Sequence, residues 1–232
     1  MTQRPILVKK EERKIIFKVP NLAGITDAVV DRLAWPKNIP LLWLKFDKGA
    51  ERCHEVLKRN VSKKYETQII YSVPAKMIRR HGHGKSGGKL EIKQNIPLPA
   101  LQALYMRTQA KDFVIPWAEE LDHRYFEETA NFVKDDLPVA KSACLYNKGE
   151  PVGQLIYLVL DANRGLVAWV WIDSALGEKA RAEAHDKLLD WLRKRDEVDI
   201  KCVVNEYNVR SNRFFQNVGF VPECVAITRH IA

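Results

Sequence analysis

Val204-Asn205-Glu206-Tyr207-Asn208-Val209-Arg210-Ser211-Asn212-Arg213-Phe214-Phe215-Gln216-Asn217-Val218-Gly219-Phe220 holds a complete strand-to-helix passage. The residues leading into it, 200–204, form an apolar run with β-branched members, the pattern of a buried strand. A polar break follows at 205–208. The next residues predict a short helix with Phe214, Phe215 and Val218 on one side. Gly219 closes that helix, because a residue without a β-carbon adopts positive φ and lets the chain reverse. Phe220-Val221-Pro222 then leads into a last strand over 224–228.

Upstream, the same reading predicts a strand over 166–172 and a long helix over 177–195. Before these, strands at 142–146 and 154–160 pair through the turn Asn147-Lys148-Gly149-Glu150. Asp161-Ala162-Asn163-Arg164-Gly165 turns the chain again, which makes a three-stranded meander followed by a helix. Two helices are expected earlier, at 99–109 with Leu101, Leu104 and Tyr105 inward, and at 122–135 with Phe126, Ala130, Phe132 and Val133 partly buried. The first part of the chain alternates strand 14–19, helix 22–34, strand 39–46, helix 50–60 and strand 65–73.

The C-terminal series is similar to the C-terminal arm of the GCN5-related N-acetyltransferase (GNAT) superfamily. The residues that carry the resemblance are Asn208, Ser211 three positions on, the pair Phe214-Phe215, and Gly219-Phe220. Gly153, at the start of the second meander strand, also matches the family's central sheet. The resemblance implies an α/β fold with a mixed, mostly antiparallel central sheet flanked by helices, over residues 96–232. A smaller basic α/β segment, residues 1–95, precedes it, and its element order echoes part of the same architecture.

Charge is unevenly spread. Residues 1–100 hold 21 Lys and Arg against 9 Asp and Glu, a net of +12, whereas residues 101–232 carry 17 against 20, a net of −3. A basic half either draws an anionic partner, such as nucleic acid, an acyl-carrier partner or coenzyme A phosphates, or is a solvated basic surface. An apolar content of 46% with 29% charged residues is that of an ordinary globular chain. No apolar run reaches the roughly 20 residues of a membrane span, and no signal-peptide pattern opens the chain, so a cytoplasmic location is expected. Cys53, Cys144, Cys202 and Cys224 lack metal-ligand spacing and read as buried thiols. Residues 80–90 are rich in glycine and basic residues. Arg79 stands where a phosphate-binding loop needs its first glycine, and His81 with His83 supplies only two metal ligands. A linker is expected there, and no metal site.

The resemblance places acetyl-coenzyme A along the backbone of Trp169 to Asp173, with Trp171, Ile172 and Asp173 nearest, lying there as an added strand. The following loop and helix start would hold its pyrophosphate, where unpaired N–H groups and the helix dipole favour anions. Aligned on Leu188-Leu189-Asp190-Trp191, the loop reads Leu176-Gly177-Glu178-Lys179-Ala180-Arg181. The family's leading basic residue is thus Leu176, and its two small positions are Lys179 and Arg181. A frame shifted by one offers Ala180 and Ala182 instead. Lys179 and Arg181 either supply charge to the phosphates or project from a solvated helix face. Asn208, Ser211 and Phe215 would lie beside the pantetheine and thioester, although capping alone accounts for Asn208.

Phe215 stands where many family members carry the tyrosine that protonates the leaving thiolate, and it has no proton to give. Tyr207 is the nearest substitute. For the general base, Asp173 and Glu206 are the candidates, with Asp173 equally suited to capping the helix after it. His185 reads as a surface or packing residue. Trp169 and Trp171 share one sheet face, as core or as the wall of a site. Acceptor contacts would come from the first two helices, around Trp117 to Arg124, and from the N-terminal segment. The implied reaction is N-acyl transfer from acyl-coenzyme A to a primary amine. Two rivals remain: a donor carried on aminoacyl-tRNA or an acyl-carrier protein, and a non-catalytic domain with a binding or regulatory role.

Overall fold

The computed structural model describes residues 6–10, 14–33, 35–36, 41–46, 65–80, 89–112 and 130–229. In chain order these form β1 (Ile6–Lys10), β2 (Lys14–Val19), α1 (Asp27–Arg32), β3 (Leu41–Phe46) and β4 (Tyr65–Pro74). There follow β5 (Glu91–Gln94), α2 (Leu98–Asp112), β6 (Lys141–Asn147), β7 (Glu150–Val159), β8 (Arg164–Ile172) and α3 (Glu178–Arg193). The chain ends with β9 (Asp199–Asn205), α4 (Val209–Asn217) and β10 (Val221–Arg229). The fold is α/β, and the strand–helix–strand passage read from residues 200–228 is present. The helix expected at 50–60, the 80–90 linker apart from its ends, Cys53, and the start of the 122–135 helix lie outside the described residues.

Two compact units divide the chain. Unit one joins Met1–Arg79 with Lys201–Ala232, and unit two is Arg80–Ile200. This differs from the boundary expected at 95/96, because strand pairing joins residues distant in sequence. β10 runs antiparallel to β3 on one side and to β4 on the other. β2 lies parallel to β3, and β1 is antiparallel to β2. β3 and β4 thus share one sheet with residues 221–229.

The core of unit one follows from the two-residue period of strands. Ile15, Leu42 and Ile227 stand in one row and Phe17, Leu44 and Val225 in the next, all buried. The helix expected over 22–34 is broken in two, a 3-10 turn at Leu22–Gly24 and α1. Thr26 caps α1 by accepting the Val29 N–H at 3.4 Å, and Leu33 is extended at its end. Pro222 is accommodated in β10 beside a register shift between Pro222 and Cys224.

In unit two the strands pair in the order β8-β7-β6-β5, all antiparallel. The β6–β7 turn is set by Lys148 at φ 52° and Gly149 at φ 87°, the positive pair that a two-residue hairpin loop with matching twist requires. One sheet face packs Cys144, Ile156 and Trp171 against Leu101, Leu104 and Tyr105 of α2 and against Leu137. Trp169 meets the Tyr105 ring edge-on at 5.5 Å. Both tryptophans thus take the core role. Elsewhere in the unit the Tyr157 hydroxyl donates to buried Glu197 at 3.0 Å, and Lys141 lies 3.8 Å from the same carboxylate. Burial and that bond raise the Tyr157 phenol above its ordinary range. A β-carbon at Gly165 would overlap the Tyr157 phenol, so glycine is required there.

Candidate functional site

The sequence-predicted residues fall in both units. Unit two holds Trp171, Ile172, Asp173, Gly177, Lys179, Ala180, Arg181 and Ala182, and unit one holds Glu206, Tyr207, Asn208, Ser211 and Phe215. The expected acceptor segment, 117–124, lies outside the described residues.

In unit two, β8 ends at Ile172, which pairs with Gly153. Asp173 then organises the turn. Its N–H donates to Val152 O at 2.9 Å, its carbonyl accepts the Leu176 N–H at 3.2 Å, and its Oδ1 accepts the Ala175 N–H at 2.9 Å. The carboxylate therefore closes an Asx-type turn on its own loop. It does not cap α3, as one reading of the sequence had it. That cap is Gly177, which has no side chain to offer. The first i→i−4 bond of α3 is Arg181 N–H to Gly177 O at 2.9 Å. The N–H groups of Glu178, Lys179 and Ala180 precede it, with no side-chain cap.

Around this helix start, Lys179 is exposed and Ala180, Arg181 and Ala182 are half-buried. Arg181 folds its guanidinium back to donate to Leu176 O at 3.2 Å, bracing the loop it follows. The arrangement is a helix end with unshielded donors, one exposed ammonium and two alanines nearby. It suits an anion chemically. The side chain of Trp171, by contrast, belongs to the apolar cluster under α2.

In unit one, the 205–208 turn is tied down from several sides. Glu206 N–H donates to Thr67 O at 2.9 Å, and Asn205 Nδ2 donates to the Tyr207 hydroxyl at 2.7 Å. Asn208 is the cap of α4, its Oδ1 accepting the Ser211 N–H at 3.1 Å. The helix closes with the two bonds of a Schellman motif, Phe220 N–H to Phe215 O at 2.9 Å and Gly219 N–H to Gln216 O at 3.1 Å. Gly219 sits at φ 103° as that motif needs. The Phe215 and Phe220 rings meet at 5.1 Å, supplying its apolar contact.

Sequence reasoning missed Asn212. Its side chain is fully buried, and Nδ2 donates to the carbonyls of Asn205 (2.9 Å), Glu206 (3.2 Å) and Asn208 (2.9 Å). Its Oδ1 accepts from the Tyr71 hydroxyl at 2.8 Å. One amide thus fixes the turn that carries Glu206 and Tyr207 and ties it to β4. The available signal was a poor helix former placed mid-helix, which needs a reason to be there.

A further polar group stands out in unit two. Gln154 is fully buried on β7, between Cys144 of β6 and Trp171 of β8, and neither end of its amide has a hydrogen-bond partner among the described residues. Ser142 Oγ, diagonal to it, is in the same state. Burial also pushes the Cys144 thiol up to about 12 and raises Cys202, so both are kept as neutral thiols. Among the described residues no group of His, Cys, Asp and Glu could hold a metal ion, and no helix is long and apolar enough to cross a membrane.

No protein-family model matches the chain, and no curated protein matches it. Solved structures do align along nearly its whole length. A functionally unknown conserved protein from Staphylococcus epidermidis shares 12% identity at a TM-score of 0.49, covering 98% of this chain and 95% of that one. A tandem GNAT protein from the clavulanic acid biosynthesis pathway shares 9% at a TM-score of 0.49, covering 97% and 78%. A GCN5-related N-acetyltransferase from Sphaerobacter thermophilus shares 9% at 0.46, covering 95% and 73%.

Proposed function

We propose that this protein is an acyltransferase that moves an acyl group from acyl-coenzyme A to a primary amine. The observation that carries the reading is the start of α3. Gly177 leaves three N–H groups without a capping side chain, at the positive end of a 16-residue helix, directly after a strand and an Asx-type turn. A pyrophosphate would be held by those N–H groups and by Lys179, with Arg181 keeping the loop in shape. Ala180 and Ala182 leave room for its approach. Asp173 is engaged within its own loop, which weakens it as a candidate base. Transfer would form the C–N bond and break the thioester C–S bond, and orientation alone supplies much of such a rate.

The test is calorimetric titration with acetyl-coenzyme A and then coenzyme A. Micromolar affinity that falls at least tenfold in Lys179→Ala supports the reading. No heat and no thermal-shift response would sink it.

A non-catalytic role is the second reading, favoured by specific observations in α4. Asn208 is accounted for by capping and Phe215 by the Schellman contact. An acyl-coenzyme A that binds without turnover across an amine panel would select it.

A further inference from the structure

Unit one carries a strip of cations with no acidic neighbour in its own segments. Residues 67–80 and 207–222 contain no Asp or Glu. These two segments meet at the C-terminal end of α4. Arg79 N–H donates to Val218 O at 2.8 Å. A β-carbon placed on Gly219 would lie 3.1 Å from Met77 O, 3.7 Å from Arg79 Cγ and 3.8 Å from Arg79 Nε. The Arg79 side chain therefore lies along the helix end, with Lys76 in the turn just before it.

On α4 itself, the exposed residues Arg210, Arg213 and Asn217 recur at helical spacing, whereas Asn212 and Phe215 are buried on the other side. Lys76, Arg79, Arg210 and Arg213 are all exposed, and none has an ion-pair partner among the described residues. Lys201 in the same unit shows the contrast, because it is paired with Glu223 at 2.7 Å. Clustered like charges repel, and an anionic partner relieves that repulsion.

We infer that this strip is a docking surface for the phosphodiester backbone of a nucleic acid. From Arg210 to Val218 the helix rises about 12 Å at 1.5 Å per residue. Along about that length a nucleic-acid strand presents roughly three to four phosphates. Arg210 and Arg213 on the helix and Arg79 at its end follow that length, with Lys76 in the turn before Arg79. A lone phosphate would instead call for donors that converge on one point, and these are strung along a helix and its end. The four cations lie outside the α3 loop and none of them is itself assigned to acyl transfer, so each proposal has its own test.

The test is fluorescence anisotropy with a labelled single-stranded RNA and the DNA of the same sequence, over a salt series. Wild type should bind, with log K falling against log salt at a slope of about −2 to −3, the value for three to four phosphates on a single strand. Arg79→Glu, Arg210→Glu and Arg213→Glu combined should weaken binding at least tenfold and flatten the slope by about 2. Lys148→Glu, on the β6–β7 turn of unit two, should leave both unchanged. If charge reversal unfolds the protein, the triple Arg→Gln variant must still flatten the slope. Tighter binding of one oligonucleotide would identify RNA or DNA as the source. Undiminished affinity and slope in the triple variants would overturn the inference. So would no oligonucleotide binding at low salt, whether or not anionic vesicles or acetyl-coenzyme A bind.

Discussion

The 205–220 passage carries the residues of the family resemblance and the 171–182 passage stands where the resemblance places the cofactor, yet they are built on opposite principles. In the first, side chains satisfy the backbone. Asn208 caps α4, Asn212 gathers three carbonyls, and Gly219 with Phe220 closes a Schellman motif. In the second, the backbone at the start of α3 is left without a side-chain cap. A signature can therefore match because the fold needs it, or because a ligand does. The 205–220 match is of the first kind at Asn208, Phe215 and Gly219, while the 171–182 passage has uncapped donors that a ligand would use.

Substitutions can break this contrast. The largest effect is expected from Asn212→Leu, which would strip the turn carbonyls and the Tyr71 hydroxyl of their partner. A loss of roughly 3 kcal/mol or more in urea unfolding is the expected outcome, and a loss under about 1 would show that the amide is not what holds the turn. Gly219→Ala should cost about 2 kcal/mol, because alanine is strained at φ 103° and its methyl would press on Met77 O. Asn208→Ala should cost about 1 kcal/mol, the usual worth of a cap. Should it instead leave stability unchanged while weakening acetyl-coenzyme A binding, Asn208 serves a ligand after all.

The smallest stability effect should come from Gly177→Asp, and it has the opposite sign. Gly177 is in extended backbone and a β-carbon there would meet nothing within 4 Å, so aspartate fits as a cap. Thermal unfolding should shift upward by a few tenths of a kcal/mol. Acetyl-coenzyme A affinity should meanwhile fall at least tenfold, because the carboxylate would occupy and repel the pyrophosphate position. Stabilisation without any loss of binding would remove α3 as the donor site.

Elements set by local pattern were legible in the sequence. The apolar runs in 14–19 and 41–46, the turn at 147–150, and the Gly219 stop each encode their own geometry. Partners were not legible. Nothing in residues 224–228 says that they will lie between β3 and β4, because pairing over such sequence distance leaves no local mark. Asn212 was passed over for a related reason. On a helix wheel a buried asparagine reads as solvated surface, and only the converging carbonyls reveal its place. The broken 22–34 helix shows the converse, since Thr26 is a strong cap in the middle of an otherwise periodic run.

The seating of β10 between β3 and β4 has a consequence for how the chain is made. Residues 80–200 are contiguous and contain all the strand partners of β5, β6 and β7, so unit two is complete soon after it leaves the ribosome. β3 and β4 emerge long before β10, and until residues 221–229 have emerged they lack the strand that joins them. Late closure of this kind makes folding slow and leaves early strands unpaired meanwhile. β3 and β4 are therefore made before unit two but locked after it, and a chain stalled before residue 221 would present two open strand edges ready to pair with a neighbour.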